Sequence, residues 1–374
     1  MLDLDQLLRL AVDQRASDVH LKVGARPRLR IDGVLVETPL DVLEPSDTER
    51  AVRELVGEAA AVLSARGEVD AVHSVAGLGR FRVSAFRQRG WLGVVLRRVV
   101  PGVPSLEALG LPPAAAELAA APPGFVLVAG LAGSGRTSTL AATVDHVNAT
   151  RPCHIVTIEQ PIEVVHADKR AVVDQREVGT DTVSVLAALQ AAAHQDPDVV
   201  VVGSLPDAET ALAALESADA GRLVLAVTQA VSASDAVGRL VDGFPPAQRA
   251  PVRSLLARTL RGVLCQRLVP RAGGRGRVPA VEVLIANGPI SEAIAEPDGV
   301  HNLDALVADG EFYGMQTFDQ SLAGLYRRGL VTRDDALANA SYEPGLAVML
   351  DAADRARAAA ADPSVSSPSA VPAG

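Results

Sequence analysis

The sequence predicts an α/β protein of two domains: a small mixed α+β domain, then a larger phosphate-loop domain with a mainly parallel sheet and C-terminal helices. Three observations support this prediction. The chain has 374 residues, enough for two well-developed cores. Beyond residue 123, short apolar strands alternate with helical segments, which is typical of a parallel sheet with crossover helices. The stretch GLAGSGRTST, residues 130–139, directly follows the first of these strands.

The small domain is predicted over residues 1–100. Its predicted elements are a helix over 4–14, strands over 18–23, 28–31 and 34–37, a helix from the capping box of residues 46–49 to about Gly67, and strands over 80–86 and 92–99. In the strand at 80–86, apolar side chains alternate with Arg80 and Arg82. One face of that strand is therefore apolar, and the other presents guanidinium groups.

A linker is predicted over residues 101–111, where prolines and glycine interrupt any periodicity. The phosphate-loop domain is predicted over 112–345. Its predicted elements are strands over 125–129, 154–158, 199–202 and 223–227, helices over 137–148, 182–194, 208–218 and 233–241, and a mostly helical part over 247–340 that contains a strand pair at 264–269 and 280–285. Residues 352–374, rich in Ala, Pro and Ser, are predicted to form a disordered tail.

The overall composition narrows the classes of function. A hydrophobic content of 48% excludes a disordered protein, and a net charge of −10 argues against general nucleic-acid binding. No apolar run approaches the ~20 residues that span a bilayer, so we expect no direct membrane span. Asp3 and Asp5 differ from the basic start of a signal peptide. We expect a cytoplasmic protein, with peripheral attachment to the inner face of the cytoplasmic membrane as an alternative.

The glycine-rich stretch is one residue away from the phosphate-loop pattern G-x-x-x-x-G-K-[ST], because an arginine replaces the lysine. The predicted nucleotide-binding residues are Gly130, Gly133, Ser134, Gly135, Arg136, Thr137 and Ser138. Thr137 is the predicted Mg²⁺ ligand, so the expected cofactors are ATP and Mg²⁺. A guanidinium is bulkier and more rigid than an ammonium, so Arg136 keeps the charge but not the fit. Only Lys22 and Lys169 are lysines in this chain, so the replacement is also consistent with drift in base composition.

Further segments occur in a fixed order along the chain. They are ASDVHL at 16–21, RFRV at 80–83, TIEQPIE at 157–163, QREV at 175–178, DPDVVVVG at 196–203 and GMQTFD at 314–319. Together with the phosphate loop they resemble the type IV pilus and type II secretion motor ATPases, the PilT/GspE-type family, over about residues 1–345. TIEQPIE resembles the acidic Asp box of that family, and DPDVVVVG resembles its Walker B strand.

The resemblance implies a PAS-like N-terminal domain, a RecA-like ATPase domain and a hexameric ring in which N-terminal arginines reach the ATP. Arg80, Arg82 and Arg97 are the matching arginine-finger candidates. Taken from the residues alone, arginines on the outer face of a strand are more often simply solvated. The implied partners are PilT-like subunits, in a homo- or hetero-hexamer, and an inner-membrane pilus platform protein.

Four positions depart from the family pattern, and all four belong to the environment of the γ-phosphate. Besides Arg136, Ser204 replaces the carboxylate that follows the Walker B glycine, Gln229 replaces the His-box histidine, and Gln160 replaces the Asp-box aspartate. Loss of a general base costs ~10² to 10⁴ in rate. Glu159 and Glu163 remain as the candidate catalytic carboxylates. Asp207 matches an acidic family position of its own, so it does not compensate for Ser204.

These departures favour a degenerate motor ATPase that binds ATP, with hydrolysis weakened or lost, and that acts as an assembly or regulatory partner in pilus retraction and twitching motility. Two alternatives stay open. One is an active pilus retraction ATPase with a variant site built from Arg136, Glu159 and Gln229. The other is a ring scaffold that binds no nucleotide. In the segment that matches the retraction motif, at 289–296, Ser291 and Ala295 occupy the two arginine positions.

Overall fold

The structure is a computed structural model that describes residues 2–31, 33–57, 60–99, 102–274 and 276–361. The chain forms two compact units, residues 1–102 and residues 103–374. The two predicted fold types are confirmed, a mixed N-terminal domain and a RecA-like ATPase domain.

The first unit is a six-stranded antiparallel sheet with helices on one face. Its elements are α1 (Leu4–Asp13), β1 (Asp18–Lys22), β2 (Arg28–Ile31), β3 (Val34–Glu37), α2 (Pro45–Val56), α3 (Ala60–Arg66), β4 (Glu68–Val75), β5 (Gly79–Gln88) and β6 (Trp91–Val99). The strand order is β3-β2-β1-β6-β5-β4. Leu7 of α1 and Leu55 of α2 pack with Phe81 and Leu96 of the sheet in one core. The alternation along β5 therefore does separate a core face from a face that carries arginines.

The helix predicted from residues 46–49 differs from the structure at both ends. Its N-cap is Glu44, whose backbone N–H donates to Asp47, and Pro45 occupies the first turn. Proline is well suited to that position because it has no N–H to leave unpaired. The helix ends before Gly57, which adopts a positive φ of 51°, and α3 follows as a separate helix.

The second unit is a seven-stranded sheet covered on both faces. Its strands are β7 (Gly124–Gly130), β8 (His154–Glu159), β9 (Val172–Glu177), β10 (Val199–Val202), β11 (Leu223–Thr228), β12 (Leu260–Pro270) and β13 (Arg277–Ile285). The order is β13-β12-β7-β11-β10-β8-β9, parallel throughout except for β13. Because all residues of β7 and β10 are buried, these strands are continuous apolar runs without alternation.

The helices of the second unit lie on both faces of this sheet and in the C-terminal part. They are α4 (Ala114–Ala119), α5 (Arg136–Thr150), α6 (Val185–Ala192), α7 (Ala208–Asp219), α8 (Ala233–Asp242), α9 (Pro246–Thr259), α10 (Gly288–Ala295), α11 (Leu303–Ala308), α12 (Phe318–Arg327), α13 (Arg333–Ala338) and α14 (Glu343–Ala361). The C-terminal ends of the parallel strands all lie at the same end of the sheet, which is where ligands of such sheets bind.

The predicted linker, residues 101–111, is wrong from residue 103 onward, and residue 101 lies outside the described residues. Leu106 is buried in the core of the second unit, and Leu109 and Leu111 pack against the same cluster. Burial of these leucines stabilises the packing of this segment against the second unit, although prolines interrupt the periodicity of its sequence.

The predicted disordered tail, residues 352–374, is wrong over 352–361, and residues 362–374 lie outside the described residues. Helix α14 continues through this segment, with Leu350 and Ala353 buried. Asp354 accepts a hydrogen bond from the Tyr326 hydroxyl at 2.7 Å. Alanine is the best helix former, so an Ala-rich stretch that is anchored by such contacts extends the helix.

Candidate nucleotide-binding site

The phosphate loop lies between the buried strand β7 and helix α5. Its three glycines have positive φ angles: 147° at Gly130, 78° at Gly133 and 90° at Gly135. A Cβ at Gly130 would lie 2.6 Å from the backbone oxygen of Gln266, whereas a Cβ at Gly133 would meet nothing within 4 Å. Gly130 is therefore required by space as well as by backbone conformation, and Gly133 by conformation alone.

Gln266 of β12 joins the loop to the sheet. Its side chain is buried, the amide nitrogen donates to the carbonyl of Ser134, and the amide oxygen accepts from the Thr139 hydroxyl at 2.7 Å. The two bonds enclose the turn that leads into α5. Two of the predicted nucleotide-binding residues, Thr137 and Ser138, lie exposed in the first turn of that helix. Unpaired N–H groups at a helix start favour an anion.

Arg136 does not extend freely into solvent. Its Nη1 donates to the carbonyl oxygen of Thr228, at the end of β11, at 2.7 Å. Burial lowers the pKa of this guanidinium, although arginine still stays charged at neutral pH. The replacement for the loop lysine is thus bound to the backbone next to Gln229.

A cavity of about 760 Å³ opens beside the loop, and seven of the fifteen site residues that the sequence predicts line it. The predicted site residues that line it are Arg136, Thr137, Glu159, Gln160, Glu163, Ser204 and Gln229. They come from the ends of β7, β8, β10 and β11 and from the segments that follow. Arg239 of α8 lines the same cavity, and no sequence pattern pointed to it.

Glu159, at the end of β8, is the best-positioned carboxylate of the cavity. One oxygen accepts hydrogen bonds from the Thr157 hydroxyl at 2.7 Å and from the Gln175 amide at 3.0 Å. Burial raises the pKa of Glu159, and these bonds counteract only part of that shift. A carboxyl with a raised pKa is suited to general base chemistry near neutral pH. Glu163 lies exposed on the same rim.

Ser204 and Asp207 follow the end of β10, and only a hydroxyl occupies the position after Gly203. The Asp207 side chain accepts the backbone N–H of Thr210 at 2.8 Å and caps helix α7. That hydrogen bond lowers the pKa of Asp207. An ionised carboxylate that is already committed to a helix cap is a weak base, so Asp207 does not replace the carboxylate that is missing at Ser204.

The segment that carries Gln229 is held by buried and partly buried carboxylates. Asp235 accepts the backbone N–H of Val231 at 2.9 Å and pairs with the Nε of Arg239 at 2.9 Å. Glu282 of β13 accepts the backbone N–H of Ala233 at the start of α8. Burial raises the pKa of Glu282 to about 7. Helix α8 and Gln229 thus depend on side-chain contacts for their placement.

A second cavity of about 380 Å³ lies on the other side of the loop. It is bounded by loop residues 131–134 and by Val231, Arg267, Leu268 and Asn339. Arg267 donates to the carbonyls of Asn339 and Val231, and its guanidinium lies 3.9 Å from the centroid of the Phe318 ring. The phosphate loop therefore borders two cavities, and the carboxylates of Glu159 and Glu163 line the larger one.

The three arginine-finger candidates belong to the first unit. Arg82 and Arg97 lie directly opposite each other on β5 and β6, and Arg80 lies two residues before Arg82. Arg97 donates to the buried Asp18 at 2.8 Å, and Arg82 lies 4.0 Å from Asp70. Burial alone would raise the pKa of Asp18, but hydrogen bonds from Ser17 and Arg97 outweigh it and lower that pKa. The finger role of these arginines stays a prediction.

Sequence reasoning missed three supporting residues. Gln266 directly follows the buried residues 262–265 of β12, and a polar side chain in such a position is a signal that a buried amide has a specific partner. Gln175 was noticed only as part of a matching segment, yet it bonds Glu159, the Val164 carbonyl and the His166 N–H. Arg239 is an ordinary cation on an amphipathic helix, so no sequence signal distinguishes it.

Two negative findings apply to the described residues alone. None of their helices combines the length and the apolar character needed to cross a bilayer. Nor do their His, Cys, Asp and Glu side chains come together in a group of three or more that could hold a metal ion.

Comparisons with known proteins agree with this geometry. Residues 2–306 match the family model described as "Type II/IV secretion system protein". The type IV pilus retraction ATPase PilT of Pseudomonas aeruginosa is 38% identical over 336 residues, which cover 90% of this chain and 97% of that protein. The type IV pilus ATPase PilU of the same organism is 36% identical, with coverages of 93% and 91%. The crystal structure of the pilus retraction motor PilT with bound ADP superimposes with a TM-score of 0.86, at 38% identity and coverages of 93% and 100%.

The family model spans well over half of the chain, and two relatives exceed 30% identity over nearly its full length. The chain belongs to the Type II/IV secretion system protein family, and within it to the PilT/GspE-type ATPases.

Proposed function

We propose that this member of the Type II/IV secretion ATPase family binds ATP and hydrolyses it slowly or not at all. The observation that carries the proposal is the composition of the 760 Å³ cavity. On one side, a phosphate loop keeps the glycine geometry that an anion requires. On the other side, Ser204, Gln160 and Gln229 occupy positions where the family has charged or ionisable groups.

The binding half of the proposal rests on backbone groups. Gly130 and Gly135 allow the loop to pack against Gln266, where a Cβ would clash. In that conformation the backbone N–H groups of the loop can hold phosphates against the start of α5. The triphosphate then occupies the larger cavity, and the second cavity beside Arg267 and Leu268 receives the base. Thr137 is the residue that would hold Mg²⁺, which neutralises charge on the phosphates when it is bound.

The hydrolysis half rests on side chains. A serine hydroxyl at position 204 does not take a proton from water as a carboxylate does, so the attacking water lacks its usual base. Nη1 of Arg136 is bonded to the Thr228 carbonyl, so this part of the guanidinium is not available to a phosphate. Each feature slows the reaction by itself, and together they act on the same phosphoryl group.

One observation favours an active enzyme as the second candidate. Glu159 lies in the cavity with a pKa that burial has raised, and Thr157 and Gln175 fix its orientation. In this alternative Glu159 orients the water, Gln229 hydrogen-bonds it, and Arg136 moves onto the phosphate. A nucleotide-free ring scaffold has no comparable observation in its favour, since the glycine geometry of the loop would then serve nothing.

We infer the biological setting from the relatives. PilT and PilU are described as type IV pilus ATPases. By that likeness the chain acts as an assembly or regulatory partner in pilus retraction or twitching motility, inside a homo- or hetero-hexamer of PilT-like subunits. An inner-membrane platform protein is the corresponding partner, which would bring the cytoplasmic ring to the inner face of the membrane.

The proposal is tested with the full chain in two assays run side by side with PilT of Pseudomonas aeruginosa. Titration with a fluorescent ATP analogue should show saturable binding. Magnesium-dependent phosphate release should be slower than that of PilT by ~10² to 10⁴, the usual cost of losing a general base. The triple variant Arg136→Lys, Ser204→Glu, Gln229→His should recover part of that rate.

Each of the other results points to a different function. Phosphate release as fast as that of PilT, abolished by Glu159→Gln, would establish the active enzyme in place of the degenerate one. Absence of saturable binding would leave only the scaffold. A triple variant that folds and binds ATP but stays as slow as the parent would show that these three substituted positions are not the cause.

A further inference from the structure

The phosphate loop contacts one buried polar side chain that no family motif described above includes. Gln266 of β12 is 2% exposed, and both ends of its amide are used. The carbonyl of Ser134 can only accept a hydrogen bond, so the group that faces it must be the amide nitrogen. The amide oxygen then faces the Thr139 hydroxyl, which donates at 2.7 Å. The orientation of the amide is therefore fixed by the chemistry of its partners.

This contact determines which way a key peptide group points. The cis peptide among the described residues is Gln160–Pro161, so the Ser134–Gly135 peptide is trans. In a planar trans peptide the C=O and the N–H point in opposite directions. Because Gln266 holds the Ser134 carbonyl toward β12, the N–H of Gly135 is directed away from β12. An N–H at a helix start that faces away from its own sheet can donate to an anion.

The space around the amide is equally restricted. A Cβ at Gly135 would lie 2.9 Å from the Gln266 amide nitrogen, so the glycine allows the amide to reach the loop. The second bond, from Thr139, lies in the first turn of α5. Gln266 thus bridges the two ends of the segment that contains Arg136 and Thr137.

We propose that Gln266 is a positioning residue for phosphate binding: it sets the Ser134–Gly135 peptide so that the Gly135 N–H is already oriented for the phosphates. The role depends on a donor at this position, and an apolar side chain of the same size does not fulfil it. The inference rests on the proposed ATP binding and adds to it the element that shapes the loop before any ligand arrives.

The test compares Gln266→Met, which removes both bonds at similar volume, with Thr259→Val as a matched control. Thr259 is also buried, and its hydroxyl donates at 2.7 Å to the Leu255 carbonyl within α9, away from the loop. We expect Gln266→Met to weaken binding of fluorescent ADP and of inorganic pyrophosphate by the same factor, about tenfold. This is the loss expected if the Gly135 N–H no longer donates its one hydrogen bond to the phosphates. Thr259→Val should bind both probes as the parent does.

A pH profile separates positioning from general damage. In Gln266→Glu the new carboxylate cannot donate to the Ser134 carbonyl at neutral pH, so binding should be at least as weak as in Gln266→Met. Burial raises the pKa of such a carboxyl, and at lower pH the protonated form regains an O–H donor. The deficit relative to the parent protein should therefore shrink as the pH falls from 8 to 5.5, as measured by ADP titration.

Three results would overturn the inference: parental affinity in Gln266→Met, an equal loss in Thr259→Val, or a deficit in Gln266→Glu that does not depend on pH. If the parent protein binds neither ADP nor pyrophosphate, the proposed function fails, but the inference is still decided by amide hydrogen exchange. Gln266→Met should then accelerate exchange within residues 131–139 at least tenfold, and Thr259→Val should not. Unchanged exchange in Gln266→Met would reject the positioning role.

Discussion

The phosphate loop and the rim formed by Glu159, Ser204 and Gln229 border the same cavity but are built from different parts. The loop uses backbone N–H groups, three glycines with positive φ and one buried amide on β12. The rim uses side chains at the ends of β8, β10 and β11. A substitution in the loop that keeps the backbone conformation also keeps the N–H groups that bind the phosphates. A single substitution at the rim, in contrast, replaces a functional group.

This difference explains how a chain can keep binding and lose turnover. The parallel sheet fixes where β7, β10 and β11 end, and a core that buries them on both faces tolerates little change. A change from carboxylate to hydroxyl at Ser204 costs the fold almost nothing because the site is only partly buried.

The largest expected effect comes from breaking the loop. Gly130→Ala places a Cβ 2.6 Å from a backbone oxygen of Gln266, in a residue with φ of 147°. Neither atom is on a flexible side chain, so the backbone must move. We expect ATP-analogue affinity to fall by ~100-fold or more, since local strain of this kind costs on the order of 3 kcal/mol. A fluorescence titration measures this loss.

Gly133→Ala is the matched control within the same loop. A Cβ there meets nothing within 4 Å, and the only cost is the positive φ of 78°. That cost is about 1 kcal/mol, so the affinity should fall by less than about tenfold. An equal loss of affinity in the two variants would mean that the close packing of Gly130 against β12 is not important for binding. The contrast between a loop that depends on backbone packing and a rim that depends on side chains would then be wrong.

The site could be predicted from the sequence where backbone geometry leaves a pattern. The glycines at 130, 133 and 135 mark the loop, and the ordered segments indicate which strand ends meet at the cavity. The sequence could not reveal that Arg136 is bound to the Thr228 carbonyl, because residues 92 apart in the chain meet only through the sheet. The contact of Gln266 with Ser134 was missed for the same reason, because 132 residues separate them in the chain.

Two strands, β4 and β9, were missed by the sequence prediction, although the edge strands β3 and β13 were predicted at 34–37 and 280–285. Strands β4 and β9 occupy the outer positions of their sheets. Each has a neighbour on one side only, and residues 172–175 of β9 alternate between exposed and half-buried positions, with charged residues in the strand. Edge strands of this kind lack the apolar run that identifies a buried strand. The sequence also does not predict the burial of Leu106 and Ala353, because the hydrophobic periodicity of the surrounding segments is weak.

The next effect concerns the support of the rim. Glu282 has a pKa of about 7 in the folded chain against 4.5 for the free group, because burial disfavours its charge. The folded state thus binds more protons than the unfolded state between these values. The free energy of unfolding of the second unit should therefore fall by about 3 kcal/mol as the pH rises from 4.5 to 7, and then level off. Urea unfolding at pH 5 and pH 8 measures it.

Glu282→Gln isolates this contribution. The amide oxygen still accepts the Ala233 N–H at the start of α8, but it carries no charge at any pH. The variant should lose most of the pH dependence between 5 and 8. Asp219→Asn, which removes an exposed carboxyl paired with Arg258, should keep the parental dependence. Parental behaviour in Glu282→Gln would show that the rim is not supported by a buried titrating group.

The smallest expected effect tests whether Asp207 belongs to the rim chemistry or only to the fold. Its carboxylate caps α7 through the Thr210 N–H, so Asp207→Ala should cost about 1 kcal/mol in the free energy of unfolding, and Asp207→Asn, which keeps a capping oxygen, much less. Neither variant should change ATP-analogue affinity or the rate of phosphate release. If Asp207→Asn instead abolished the remaining phosphate release without changing the free energy of unfolding, Asp207 would be the base that takes the place of the carboxylate missing at Ser204. The rim would then be rearranged but still able to support hydrolysis.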